Sequence, residues 1–489
     1  MAGTRLLLLL SMIAPILFLI APMAYHYTLV PRAPLPLDAI AELDIAALQG
    51  ALQAKLERSH TLTLWAPTKP TFALHPSVNI HEAPISLPSA TDLDEHLHAL
   101  VQQAGLGDSF VIFLLCTTDA AAPVVLGAYR HGWTNACQLP VSVQSDVLSV
   151  AFPPSSEITP SIRLALKYRW SFSLLNEFPD GNSAAWESHM GNMAMAYVEP
   201  LVAKLSALAA FTLESQTLHY ASLATAYNYD PATKTHYVTP HDLQQFKSVN
   251  DFASVPILHD REQLVHFMAA LPSPAHAPLE IRAGKSGVHH SFMIPGYGGV
   301  TVLNPRATPR DEVQRAMQVA VAQLRRGLGL PAATGSVQTL AASAVGLADW
   351  ELDILVRFWL EKHWHTSLTM LTSIAALVEA MPQMTVLPRI QGQVHRALAV
   401  VDEMARMLAA PEPWSAATCV ARLADVRAAV EAIEGASYDS TMVAQLYFPE
   451  EHIYAVYLPL LLPLVLPFGF GLVREVKRLR KKRLAKPTS

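Results

Sequence analysis

Two uncharged apolar stretches, one near each end, constrain this chain more than any other feature. Residues 6–24 form 19 positions without a charge, preceded by Arg5, and residues 455–473 form another 19, followed by Arg474. At roughly 1.5 Å per helical residue each reaches about 28 Å, close to the hydrocarbon core of the endoplasmic reticulum bilayer at about 27 Å. The alternative for the first stretch is a cleaved signal peptide. Its apolar core is longer than the roughly 7–15 residues of such a segment, and Pro22 with Met23 spoils a small-x-small cleavage site. The alternative for the second is a GPI-attachment signal, but such a signal ends with its apolar tail, and here a basic sequence follows. Both stretches therefore read as membrane helices.

Eight basic residues (Arg474, Lys477, Arg478, Arg480, Lys481, Lys482, Arg483 and Lys486) follow the second stretch against one acid, Glu475. With Arg5 on the other short tail, the positive-inside rule places both termini in the cytosol. Removing those nine cations and Glu475 from the totals of 35 and 40 leaves 26 cations against 39 acids, so the middle carries about −13. All of that charge lies across the membrane. Such a face is a poor partner for nucleic acid, while the basic tail suits the anionic cytosolic leaflet. The chain is 51% hydrophobic and 15% charged, against about 25% charged in ordinary soluble domains, and its mean hydropathy is +0.26. These values exclude a disordered chain and a small disulfide scaffold. Cys116, Cys137 and Cys419 are the only cysteines, which permits one disulfide and one leftover thiol.

Between the spans, helical spacing is expected over 37–58, 91–104 (with Thr91 as cap) and 183–208. Strand patterns are expected over 61–65, 110–116, 141–150, 168–175, 211–220, 280–282, 291–294 and 300–303. Residues 227–256 read as loop, and 295–299 as a turn. After Asn304 the pattern becomes helical over 311–328, 347–379, 391–408 and 413–434. The expected fold is an α/β domain, a mixed sheet with flanking helices, followed by a helical bundle and bracketed by one transmembrane helix at each end. In chain order this gives a cytosolic tail (1–5), a transmembrane helix (6–24), a luminal α/β domain (25–304), a luminal helical region (305–454), a Pro-rich transmembrane helix (455–473) and a basic cytosolic tail (474–489).

Motifs that carry chemistry are fragmentary. Gly284-Lys285-Ser286 lacks the opening glycine of a P-loop, since Leu279 stands in its place, and Gly296-Tyr297-Gly298 opens a strand rather than a helix. His96 with His98, and His363 with His365, lie two apart on helices, about 200° around the axis, and cannot share a metal from one face. His289 and His290 read as surface residues, and Glu450 with Glu451 as a solvated turn. Cys137, with His131 nearby, is the one loop-placed nucleophile candidate, and no nucleophile signature surrounds it. No catalytic, cofactor or metal site is expected. Pro459, Pro463 and Pro467 recur every four residues along the second span and free carbonyls near Ala455, Pro459 and Pro463 that lipid cannot satisfy. The expectation is that this stripe packs against partner helices; the alternative is a kinked anchor.

Five short motifs, in order, resemble the PIG-S family of GPI transamidase subunits. They are Ser171-Phe172-Ser173-Leu174-Leu175-Asn176 with Trp186 beyond it, Tyr297-Gly298-Gly299-Val300-Thr301-Val302-Leu303-Asn304, Trp350-Glu351-Leu352-Asp353, Leu446-Tyr447-Phe448-Pro449, and Tyr457-Leu458-Pro459. The resemblance implies an endoplasmic reticulum membrane protein with two spans and no cofactor, within the complex that replaces a C-terminal signal by a glycolipid. It implies a scaffold beside a caspase-like cysteine peptidase, PIG-T-like and PIG-U-like subunits and a peptidase-like GPI attachment subunit, with membrane lipid as the remaining contact. On this reading Trp350 and Asp353 are core and cap-like contacts. The competing readings are a stand-alone luminal hydrolase using Cys137 and a homo-oligomeric two-span scaffold.

Overall fold

The apolar runs in the middle of the chain become strands buried on both faces. The structure is a computed structural model that describes residues 32–444 with interruptions, the longest at 243–261, and scattered positions between 459 and 481. The first expected span, 6–24, lies outside the described residues. Two compact units divide the chain: one holds Ala46–His365 with Met404–Arg427, the other Met1–Ile45, Thr366–Glu403 and Ala428–Ser489.

The larger unit carries three sheets. Strands β1 (Leu62–Ala66), β2 (Val78–Glu82), β3 (Phe110–Thr118), β4 (Val124–Leu126) and β5 (His131–Ala136) belong to a six-stranded sheet. Its order is β15-β4-β5-β3-β1-β2, where β15 is Val337–Thr339. All neighbours are parallel except β4 and β5. Because β15 comes from beyond residue 304, the α/β layer is completed by chain that the sequence assigns to the helical region. Helix α3 (Leu93–Gln103) lays Leu97 and Val101 on Trp65, Val111 and Phe113. Its cap is Asp92, which accepts from the Asp94 N–H, rather than the expected Thr91.

A five-stranded sheet follows, in the order β13-β14-β10-β6-β7. It comprises β6 (Lys167–Asn176), β7 (Ala210–His219), β10 (Glu262–Leu271), β13 (Ser291–Ile294) and β14 (Gly298–Val302), with only β13 antiparallel. Helices α5 (Ser183–Leu205) and α6 (Pro309–Gly327) pack on it. Val300, Val302, Met268 and Ala270 instead join Val238, Leu279 and Ile281 from a small four-stranded sheet, which contains β8 (Asn228–Asp230), β9 (Thr235–Val238), β11 (Leu279–Arg282) and β12 (Val288–His289).

Helices α1 (Leu37–Ala41) and α2 (Ile45–Arg58) replace the single expected helix over 37–58. The remaining helices are α7 (Asp349–Ala380), α8 (Pro388–Ala409), α9 (Ala416–Ser437) and α10 (Ser440–Ala444). In the second unit, a bridge from Arg32 to Val386 and the Arg32 guanidinium on the Val378 carbonyl at 2.6 Å tie the N-terminal segment to this helical layer.

Two expectations fail for a physical reason. Residues 141–150, rich in β-branched valine, form helix α4 (Val141–Ala151) rather than a strand. Burial decides it: Gln144, Val147 and Ala151 fall on one helical face, and the Gln144 amide satisfies the Ala73 and Leu139 carbonyls and the His75 N–H. Such tertiary terms outweigh strand propensity. Conversely β10 goes unrecognised in the sequence because it is a covered strand built largely of helix formers such as Glu262, Gln263, Met268, Ala269 and Ala270. The turn expected at 295–299 is shorter, since Gly298 and Gly299 already belong to β14.

Candidate functional site

A thiolate needs a free sulfur, and Cys137 does not offer one. It is bonded to Cys116, with 4.3 Å between the Cα atoms, across the end of the β3–β5 pairing. Cys116 sits where that register shifts, at a φ of 52°. His131 opens β5 and Cys137 follows its end, so about 20 Å of extended strand separates them. The pair is not a nucleophile and base. Among the described residues no group of three or more His, Cys, Asp and Glu side chains is arranged to hold a metal. His98 stacks on Tyr129 with ring centroids 3.8 Å apart, His289 and His290 are exposed, and Gly284-Lys285-Ser286 lies outside the described residues.

The residues that do converge are those of the motifs, and they build a clamp. The first turns of α7 dock on the β4–β5 turn. The Trp350 indole N–H donates to the Gly127 carbonyl at 3.1 Å, and the Asp349 N–H donates to the Ala128 carbonyl at 2.9 Å. Asp353 takes two bonds from Arg130, at 2.5 and 2.9 Å, the bidentate geometry that suits a guanidinium. Glu351 is 1% exposed, is paired with Arg325 at the end of α6, and accepts the Ala348 N–H at 2.8 Å. Burial pushes its carboxyl up, and Arg325 works against that. Lys204 at the end of α5 reaches Asp349 at 2.8 Å. Trp350-Glu351-Leu352-Asp353 therefore joins one helix to the β4–β5 turn of the six-stranded sheet and to α6, which packs on the five-stranded sheet. Its i and i+3 residues face one layer and its i+1 residue the other, as helical geometry dictates.

The same turn is held from its far side. The Ala128 N–H donates to the Asp94 carboxylate at 3.1 Å, and His131 Nε2 lies 3.0 Å from it. Burial raises the Asp94 carboxyl, but His131 and the Ala128 N–H outweigh it and hold it below the usual carboxylate range. Sequence reasoning sets His131 beside Cys137 rather than Asp94 and passes over Arg130, because partners more than thirty positions away leave no local pattern.

The Tyr297-Gly298-Gly299 motif has an equally mechanical reading. A Cβ on Gly298, at φ 140°, would lie 1.8 Å from the His266 carbonyl oxygen, and one on Gly299 would lie 1.8 Å from Gln323 Oε1 on α6. The two glycines let β14 approach β10 and let α6 lie down on the sheet. Ser171-Phe172-Ser173-Leu174-Leu175-Asn176 is the buried centre of β6, and Trp186 is buried on α5.

Pro459, Pro463 and Pro467 occupy helical, exposed positions, and Leu462, Leu466, Phe470 and Val473 are exposed beside them. Among the described residues no helix is long and apolar enough to cross a membrane. Residues 446–449 and 457–458 lie outside the described residues.

Comparison with known proteins agrees with the motifs. Residues 139–482 match the family model PIG-S, "Phosphatidylinositol-glycan biosynthesis class S protein". A mouse protein named "GPI-anchor transamidase component PIGS" is 28% identical over 362 residues, which is 70% of this chain and 64% of the mouse protein. The human protein of that name shows the same identity and coverage. "GPI transamidase component GPI17" of Saccharomyces cerevisiae is 23% identical over 419 residues, 82% of this chain and 72% of the yeast protein. The aligned part thus spans a little under two thirds of each mammalian relative. The matched region begins in the loop before α4, beyond β1–β5, and takes in the five- and four-stranded sheets, β15, the docked helix and the Pro-rich segment, and on that basis this chain belongs to the PIG-S family.

Proposed function

We propose that this chain is a non-catalytic structural subunit of the GPI transamidase, supporting attachment of GPI anchors to precursor C-termini in the endoplasmic reticulum. The observation that carries the reading is the family match over 139–482, with relatives named as components of that transamidase. The geometry is compatible with it: the family motifs are spent on joining layers, and the one loop-placed cysteine candidate is tied to Cys116. That bond also weighs against a stand-alone cysteine hydrolase. On this proposal the transamidation nucleophile belongs to a caspase-like partner, and PIG-T-like, PIG-U-like and peptidase-like attachment subunits complete the assembly. The chain would cross the membrane at 6–24 and 455–473 with both termini cytosolic, and the domain bounds 25–304 and 305–454 would lie in the lumen. A rigid body tethered at both ends holds partners near the bilayer, and positioning of reacting groups is worth several kcal/mol without a reactive side chain.

Affinity capture of the tagged full chain from mild-detergent-solubilised membranes, with mass spectrometry of what is bound, tests this. Recovery of a cysteine peptidase and other transamidase subunits near one copy each is expected. Recovery of the chain alone, or only with copies of itself, would overturn the proposal.

A further inference from the structure

Arg357 carries a charge for which no carboxylate is reserved: Asp353 attracts it from a distance but is bonded to Arg130. It stands one turn beyond Asp353 on α7, its guanidinium over the Phe152 ring at 5.1 Å and bonded to the Cys419 thiol. Asp353 is already held by two bonds from Arg130, and Arg130 repels it. Among the described residues no carboxylate lies within ion-pair distance of Arg357. Partial burial pulls its pKa down, against the attraction of Cys419 and Asp353. The side chain is half-buried, so part of it stays within reach of a ligand from solvent.

The guanidinium lines an open pocket of about 220 Å³, bounded by α2, the 151–158 segment and α7. Its walls are largely apolar, with Leu56, Ile158, Ile354 and Phe358 contributing. Of its two carboxylates, Glu361 is occupied by the Ser155 hydroxyl, and Glu57 is exposed and takes the Gln53 amide at 3.4 Å. For scale, an apolar cavity of about 150 Å³ accepts benzene.

We propose that this pocket binds a small oxyanion, a carboxylate or a phosphate, carried on an apolar stem, with Arg357 as its charge partner. The planar guanidinium offers a fork of N–H donors matched to two oxyanion oxygens, and the apolar walls take the stem. The two glutamates select for one anionic group, since a polyanion would meet them. The site does not rest on the transamidase reading, because it uses only contacts and a pocket within the larger unit.

Calorimetric titration of the full chain in a neutral detergent, at neutral pH and low salt, tests it with four probes: phenylacetate, phenyl phosphate, inorganic phosphate and neutral phenylacetamide. One of the two stemmed anions is expected to saturate, at least tenfold tighter than both phenylacetamide and inorganic phosphate. The tighter one separates a carboxylate source from a phosphate source. Arg357→Met should weaken it at least tenfold, and Glu361→Gln should tighten it by removing repulsion at the mouth. The proposal is overturned if no stemmed anion saturates at millimolar concentration, if the amide or bare phosphate binds as well, or if folded Arg357→Met binds unchanged. Should Arg357→Met fail to fold, unchanged affinity in Glu361→Gln overturns it.

Discussion

Replacing Asp353 by Asn tests whether the α7 clamp holds the larger unit together. Asp353 is 12% exposed and Arg130 31% exposed, and two bonds join them. Breaking a buried pair by removing one partner costs about 3–5 kcal/mol; the partial exposure of Arg130 screens the charge, so the expected loss is about 2–3 kcal/mol. Part of that cost is repulsion, because Asp353→Asn removes the charge that attracts both arginines and leaves the repulsion of Arg130 on Arg357 uncompensated. The double variant Asp353→Asn with Arg357→Met should therefore recover some of the loss. For a unit of about 340 residues, an unfolding entropy of about 2.1 cal/mol/K per residue makes 2–3 kcal/mol a drop of about 3–4 °C in Tm. Thermal unfolding of the full chain in detergent, followed by far-UV circular dichroism, reads it. A loss below about 0.5 kcal/mol, as for an ordinary surface substitution, or a double variant no better than the single one, would refute the reasoning.

Three further outcomes are expected. His363 is buried and its pKa is lowered to about 4, by desolvation first and Arg427 second; the unfolded ring at about 6.5 binds the proton first. Stability is therefore full above pH 6.5 and falls by up to about 3 kcal/mol as pH drops towards 4. His363→Leu should flatten that slope in denaturation curves taken at several pH values, and an unchanged slope would assign the loss elsewhere. Gly298→Ala places a methyl on the His266 carbonyl at a backbone angle that L-residues avoid. It should cost more than about 4 kcal/mol and abolish accumulation of folded chain, whereas Gly299→Ala, which meets only the end of the Gln323 side chain, should be milder. Replacing Pro459, Pro463 and Pro467 together by Leu should leave membrane insertion intact and weaken co-purification of partner subunits; unchanged co-purification would make the stripe a kink.

Much of the fold is legible along the chain, including strands β1, β3 and β6, whose β-branched and aromatic runs mark them although they are buried. Helices α6 and α8 fall within a few residues of their expected bounds because their apolar positions repeat at helical spacing; α7 and α9 do so because they are rich in Ala, Leu and Glu, strong helix formers. Strand β13 matches as expected, and β6 to within a residue or two. Legibility fails in β10, a covered strand built largely of helix formers such as Glu262, Gln263, Met268, Ala269 and Ala270, and where a buried amide recruits a valine-rich run into a helix, as at Gln144. The clamp was half legible. Its motif residues stand in sequence order, but Arg130 is 223 positions from Asp353.

The sequence by itself determined the family, through five short motifs in order, and the expectation of two membrane spans, through charge-free stretches with a basic flank. It also determined which residue types were missing for a metal cluster of regular spacing. Only the tertiary structure decided that Cys137 is joined to Cys116, that Trp350 and Asp353 fasten α7 to a turn more than 200 positions earlier, and that Arg357 is left facing a pocket. The reason is physical. Periodicity and net charge are sums over neighbours in the chain, whereas a disulfide, an ion pair or a cation without a bonded carboxylate depends on which distant groups the packed layers bring within a few ångströms.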